Sequence, residues 1–177
     1  MSEITTYQKL RFDPLSPAEE SISEYDIAHA LSLLCRAGGH FAHFYSVAQH
    51  SINCAREAMA RGYSRRTSLG CLLHDASEAY LSDITRPVKA HLPRYLEIEE
   101  NLQNAIYRKW LSPMPTAEEL ALIREVDDTL LYHEFLNIMQ ERVFENAPIL
   151  TADCSFAKAD FEDVEKAFLS LFKTLTD

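Results

Sequence analysis

The 177-residue chain is 47% hydrophobic and 25% charged with only 7 prolines and 4 glycines, a composition that suits one globular domain over residues 1–177 and leaves little for a linker. Its 27 acidic and 17 basic residues give a net charge of −10, which argues against binding a nucleic-acid polymer but leaves a small anionic substrate open. No apolar run approaches the roughly 20 residues that span a bilayer, and "MSEITTYQKLRFDP" lacks an apolar signal-peptide centre, so a cytoplasmic protein with no membrane partner is expected.

Residues 1–17 read as an irregular segment whose Thr, Tyr and Phe favour a short hairpin. "SEYDIAHALSLLC" then places a Ser cap ahead of Ile27, Leu31 and Leu34 at helical spacing, and the glycines of "RAGGHFAHF" break that helix. A second helix is predicted from about Ser46 to Arg61, closed by Gly62. Ser64 caps a third, "RRTSLGCLLHDASEAY", with Leu69, Leu72, Leu73 and Ala76 as its inward stripe. Pro87 and Pro93 punctuate a short piece and the start of a long helix through Trp110. Thr116 and Glu119 form a capping box that opens a helix running to Gln140. A packing helix within 153–177, "FAKADFEDVEKAFLSLFKTL", ends the chain, so the fold expected is all-α. Tyr80, Trp110, Phe156, Phe161, Phe168 and Phe172 fit core spacing, and Cys35, Cys54, Cys71 and Cys154, with no C-x-x-C pair, read as packing thiols rather than a zinc cluster.

Against this apolar background "GCLLHDASEAYLSDITRPVK" stands out. Buried imidazoles and carboxylates cost free energy unless paired, hydrogen-bonded or bound to a metal. His74 and Glu78 are spaced to share a helical face, and Asp75 adjoins His74. His50 lies on the inward stripe Val47, His50, Cys54, and Asp127 on the face Ile123, Asp127, Leu130, Leu131, Glu134, whereas Asp128 falls on a solvated face. Imidazoles and carboxylates converging from three helices suit Mn, Co, Fe, Zn or Ni, with Mg also admissible. Glu78 could align or deprotonate a water, and Asp83 could donate a proton. Arg36 and Lys89 flank loops that would rim such a site and suit phosphate oxygens. His40 and His43 sit in the Gly-rich loop, where they could touch a substrate but read first as ordinary loop polar groups.

These residues resemble the HD-domain phosphohydrolase superfamily, whose metal site is His … His-Asp … Asp on a helical bundle. "HDASEAYLSDITRPVK" is similar to the bacterial 5′-deoxynucleotidase branch. "YDIAHALSLLCRAGGHFAHFYSVAQHS" looks closer to phage and prophage HD hydrolases, which include nucleoside monophosphatases and a dATP triphosphohydrolase. The resemblance covers roughly residues 7–140. It implies an HD-domain helical bundle with His50, His74, Asp75 and Asp127 as ligands of one divalent metal. It further implies Glu78 and Asp83 as catalytic carboxylates and Arg36 and Lys89 as phosphate contacts, and it allows a homodimer. One departure is Ala37, where the deoxynucleotidase branch carries Trp beside the sugar.

The activity expected is metal-dependent hydrolysis of a nucleotide phosphate, foremost a (deoxy)nucleoside 5′-monophosphate, by attack of an activated water on phosphorus. A dNTP triphosphohydrolase, a hydrolase of a non-nucleotide phosphate and a metal-stabilised binding module are the alternatives. Glu78 and Asp83 argue against the last, since a structural site has no need of them.

Overall fold

The computed structural model describes residues 3–177, so the first two residues of the N-terminal segment lie outside it. The fold is all-α, with 60% of the chain helical and 3% in strands. A two-stranded antiparallel hairpin, β1 (Ile4–Thr5) and β2 (Arg11–Phe12), precedes the helices. Helix α1 (Glu24–Leu33) starts at Ser23, whose hydroxyl accepts from the Tyr25 N–H. A glycine turn leads to α2 (Val47–Ala60), followed by α3 (Arg65–Leu73) and two short turns of helix, α4 (Glu78–Leu81) and α5 (Arg86–Lys89). The long helices α6 (Pro93–Trp110) and α7 (Ala117–Glu134) come next, and α8 (Phe161–Thr176) ends the chain.

The caps explain the boundaries. Ser46 with Gln49 and Thr116 with Glu119 form capping boxes that start α2 and α7. Gly62, at φ +75°, ends α2 in a Schellman motif: its N–H reaches the Met59 carbonyl and the Tyr63 N–H reaches Ala58. Gly70 permits close approach of α3 to α7, because a Cβ there would lie 2.6 Å from Ile123 Cδ1.

Helix α2 lies at the centre, packed against α1, α3, α7 and α8. Val164, Phe168, Phe172 and Leu175 of α8 close a core with Ile27, Leu31, Ala48, Leu72 and Ile106. Burying each large side chain of this kind contributes about 1.5–3 kcal/mol. Among the described residues no helix is long and apolar enough to cross a membrane.

Two sequence expectations need correction here. The last helix begins at Phe161 rather than near Phe156, because Asp160 caps it by accepting from the Glu162 N–H. Phe161, in its first turn, is 38% exposed and is not a core residue, while Phe156 packs from the preceding loop. The helix opened by the Thr116 box changes to a π-turn over Phe135–Met139 and stops at Gln140, in the left-handed region at φ +57°.

The long segment between that π-turn and α8 forms no helix or strand and is strapped down by side chains, mostly from one polar stripe of α2. Gln49 donates to the Ala157 carbonyl and Asn53 to that of Ser155, and Arg61 donates to that of Ile149. Glu57, fully buried, accepts from the N–H groups of Thr151 and Ala152 and pairs with Arg61 Nε at 2.7 Å. Burial alone would raise the Glu57 carboxyl, but the Ala152 N–H, the Arg61 guanidinium and the Thr151 N–H hold it below its ordinary value.

A carboxyl depressed in the folded state contributes stability that is complete above its unfolded value of about 4.3 and is lost as pH falls through the folded value. Glu57→Gln is therefore expected to cost about 1.5–3 kcal/mol at neutral pH, by loss of charge-assisted hydrogen bonds. The gap from wild type should narrow below about pH 4.3. Urea denaturation at pH 7 and pH 3 checks this, and an equal gap at both would contradict the linkage.

Candidate metal centre and cleft

The loop before α2 is held as a closed unit. Cys35 and Ser46 form an isolated antiparallel bridge, and the Arg36 N–H donates to the Tyr45 carbonyl at 2.9 Å. Ala37, Gly38 and Gly39 are successive left-handed residues, at φ +56°, +60° and +80°. For Ala37 this conformation costs about 1–2 kcal/mol. The turn brings Arg36 back over α2, where the Ser46 box sets the register that buries His50.

The sequence predicted one continuous helix through His74 and Glu78, but α3 ends at Leu73. From there the N–H groups bond three residues back, Ala76 to Leu73 and Glu78 to Asp75, each at 3.0 Å. Gln103 of α6 satisfies the interruption: its amide donates to the Leu73 carbonyl at 2.7 Å and accepts from the Ser77 N–H at 3.1 Å. His74 Nδ1 adds a bond to the Cys71 carbonyl at 2.8 Å. The tighter winding separates His74, which faces His50, from Glu78, which lines the neighbouring cleft.

Four side chains converge. His50 Nε2 lies 3.2 Å from His74 Nε2, 3.2 Å from Asp127 Oδ1 and 3.7 Å from Asp75 Oδ2. His74 Nε2 lies 3.2 Å from Asp75 Oδ2 and 3.7 Å from Asp127 Oδ1. Carbonyl and carboxylate oxygens only accept, so the Cys71 carbonyl and Glu134 each accept a hydrogen bond from a protonated imidazole Nδ1. The two Nε2 lone pairs are then left facing one another and two carboxylates, an arrangement that calls for positive charge.

The spacing fits a metal. Bonds of about 2.1 Å at tetrahedral or right angles place neighbouring donors roughly 3.0–3.4 Å apart. Burial would lower the His74 pKa, but Asp75 and Asp127 raise it well above its ordinary value. Asp127 is held well below the carboxylate range despite burial, through its bonds to His50 and His74. The field that favours a proton on His74 would favour a divalent cation more strongly.

His50, Cys54 and His74 form a group that could hold a metal ion, with their ligand atoms within 4.8 Å of one another. Cys54, read from the sequence as packing, has its Sγ 3.4 Å from His50 Nε2. Burial and the Asp127 carboxylate push its thiol pKa well up, which favours the two carboxylates over a thiolate as the anionic donors.

Around the cluster, Arg36 is buried and engaged by three carboxylates. Its Nε donates to Glu134 Oε2 at 2.8 Å, and its two Nη groups reach Asp75 and Asp127 at 3.4 and 3.5 Å. Glu134, wholly buried, binds His50 Nδ1 at 2.6 Å through its other oxygen. Arg86 donates to Asp127 Oδ2 at 2.5 Å and Asp128 Oδ1 at 2.8 Å. Asp128 is the more exposed of the two aspartates, as its helical face predicts. Sequence reasoning gave Glu134 and Arg86 no role, although both lie in stretches it had marked.

The cluster opens into a cleft of about 570 Å³, within the range of small-molecule sites. Its lining combines the charged Asp75, Glu78, Asp83, Arg86, Lys89 and Asp127 with the apolar Ile84, Leu131, Phe135, Met139, Val143 and Phe144. Glu78 Oε1 lies 3.4 Å from Lys89 Nζ, while the buried Oε2 has no partner. Burial, then Asp75 and Asp83, raise the Glu78 carboxyl well above its ordinary value. Ser82, at φ +80°, turns the chain so that Asp83 lines the same cleft, and burial raises that carboxyl too. Lys89 is also bound to Glu99 at 2.6 Å. His40 lines the cleft, but His43 instead bonds the Phe156 carbonyl at 2.9 Å.

No protein-family profile matches the chain. It is similar to "Uncharacterized protein YfdR" of Escherichia coli (strain K12), 38% identical over 113 residues, which cover 64% of this chain and 61% of that protein. It is also 38% identical over 109 residues to "Uncharacterized protein RCAP_rcc00048" of Rhodobacter capsulatus, covering 58% of this chain and 55% of that one. The matches thus span less than two thirds of either relative.

Proposed function

We propose that the chain is a metal-dependent phosphohydrolase of the HD type that acts on nucleotides, foremost (deoxy)nucleoside 5′-monophosphates. The observation that carries this reading is the pair of His50 and His74 Nε2 atoms, 3.2 Å apart and flanked by Asp75 and Asp127, which line a cleft of mixed charged and apolar residues. A bound divalent cation would supply Lewis acidity toward a phosphoryl oxygen and make water acidic near neutral pH.

The chain's own groups do the rest. Glu78 lines the cleft, and its carboxylate is suited to orient the attacking water and take its proton. Asp83 gives a proton to the leaving oxygen, a role its raised pKa favours. Arg36, Arg86 and Lys89 offset phosphoryl charge, and the apolar lining residues cover the nucleoside. Each cation at the cleft is already paired with carboxylates, so little positive charge is left for a long polyphosphate. This favours monophosphates over triphosphates.

The test is product analysis on chelator-stripped protein resupplied with Mn²⁺, Co²⁺, Zn²⁺ or Mg²⁺. Ribo- and deoxynucleoside mono- and triphosphates are offered side by side. Metal-dependent orthophosphate release from monophosphates is expected, with the ribo/deoxy ratio reporting the opening left at Ala37. Triphosphate release from a dNTP would replace the monophosphatase reading with a triphosphohydrolase on the same residues. No turnover with any metal would overturn nucleotide hydrolysis and leave non-nucleotide phosphates or binding alone.

A further inference from the structure

We infer that Glu134 is a positioning residue that ties the metal ligand His50 to the anion-facing Arg36; this rests on the ion site of the proposed function but not on its choice of substrate. Glu134 ends α7, two turns beyond Asp127, and is wholly buried. One oxygen accepts from His50 Nδ1 at 2.6 Å and the other from Arg36 Nε at 2.8 Å. A hydrogen-bonded carboxylate behind an imidazole fixes its tautomer and makes Nε2 a stronger donor. The two imidazoles differ in this respect, since His74 is backed only by the Cys71 carbonyl.

Arg36 is gripped unevenly. Its bond to Glu134 is short, whereas its Nη groups reach Asp75 and Asp127 only at 3.4 and 3.5 Å. With Nε anchored, the Nη pair can leave those carboxylates for the oxygens of a phosphate without moving the rest of the side chain. Asp75 and Asp127 are released in the same exchange to give their charge to the cation. A neutral amide cannot replace Glu134 here: Gln has one accepting oxygen and a donating NH₂, so it serves His50 or Arg36 but not both.

The test compares wild type, Glu134→Gln and Glu134→Asp by Mn²⁺ titration, the visible spectrum of Co²⁺-loaded protein, and inorganic phosphate titration of the Mn²⁺ form. Glu134→Gln is expected to weaken Mn²⁺ binding about 10–100-fold. It should also alter the Co²⁺ spectrum and weaken phosphate binding. Glu134→Asp, which keeps the charge, should recover part of the Mn²⁺ affinity and so separates a positioning role from loss of fold. Wild-type Mn²⁺ affinity and an unchanged Co²⁺ spectrum in a folded Glu134→Gln would overturn the inference, even in an active nucleotidase. If the wild type turns over no nucleotide yet the Mn²⁺ and phosphate effects appear, the inference stands and the substrate assignment falls. If the Gln variant does not fold, wild-type Mn²⁺ affinity in a folded Glu134→Ala would equally refute it.

Discussion

Asp75→Ala is expected to lose divalent-cation binding and phosphate release together, with turnover down by about 10³-fold or more. The magnitude follows from the several kcal/mol a metal contributes to transition-state charge, at about 1.4 kcal/mol per tenfold in rate. Asp75 Oδ2 sits 3.2 Å from His74 Nε2 and 3.7 Å from His50 Nε2, so its removal takes a donor and a negative charge from the cluster at once. Arg36 Nη1 loses a partner as well, but Arg36 stays anchored on Glu134, and the variant should fold. Equilibrium dialysis with Mn²⁺ alongside the phosphate assay decides the matter. Tight Mn²⁺ binding in Asp75→Ala would mean that His50, Cys54 and His74 suffice as the ion site, and Cys54→Ala would then be the variant that loses it.

Glu78→Gln is expected to separate function from stability in opposite directions. Turnover should fall about 10²–10⁴-fold, the range of a positioned general base, with Mn²⁺ affinity within a few-fold of wild type. The fold should become more stable by about 0.5–2 kcal/mol. Glu78 is 5% exposed, its Oε2 has no partner, and the Asp75 and Asp83 carboxylates lie close enough to oppose its charge. A neutral amide removes that repulsion. Paired kinetics and thermal melts on chelator-treated protein test both halves. A variant with full turnover would remove Glu78 from the chemistry, and one with lower stability would show that its buried carboxylate is better satisfied than the geometry indicates.

Most of the architecture was legible in the sequence because its signals are local. Ser46, Gly62, Ser64, Pro93 and Thr116 each govern one helix end through their own backbone chemistry, and the ends fall where they predict. The end of α3 was not legible, because Gln103, far along the chain, completes the turn after Leu73. The polar stripe Gln49, Asn53, Glu57, Arg61 escaped notice for a related reason. On one helix such a stripe reads as a solvent face, yet here the strap from 141 to 160 covers it. In the cleft, residue types at helical spacing were enough to single out His50, His74, Asp75 and Asp127, which the fold brings together. Arg36 was assigned from its charge, its place beside a loop at the site and the family resemblance, none of which reveals that three carboxylates already surround it.

The strap itself has a consequence for how such a protein can diversify. Gln49, Asn53, Glu57 and Arg61, with His43 and His133 from outside the stripe, hold it by its backbone: the carbonyls of Pro148, Ile149, Ser155, Phe156 and Ala157 and the N–H groups of Thr151 and Ala152. Peptide groups are the same whatever side chains they carry, so these hydrogen bonds do not depend on the composition of the strap, while Leu150, Cys154 and Phe156 add side-chain packing against the buried clusters. Val143 and Phe144, which line the cleft, belong to this segment. The cleft wall at Val143 and Phe144 can thus be rewritten while the helix that carries His50 keeps its grip unchanged.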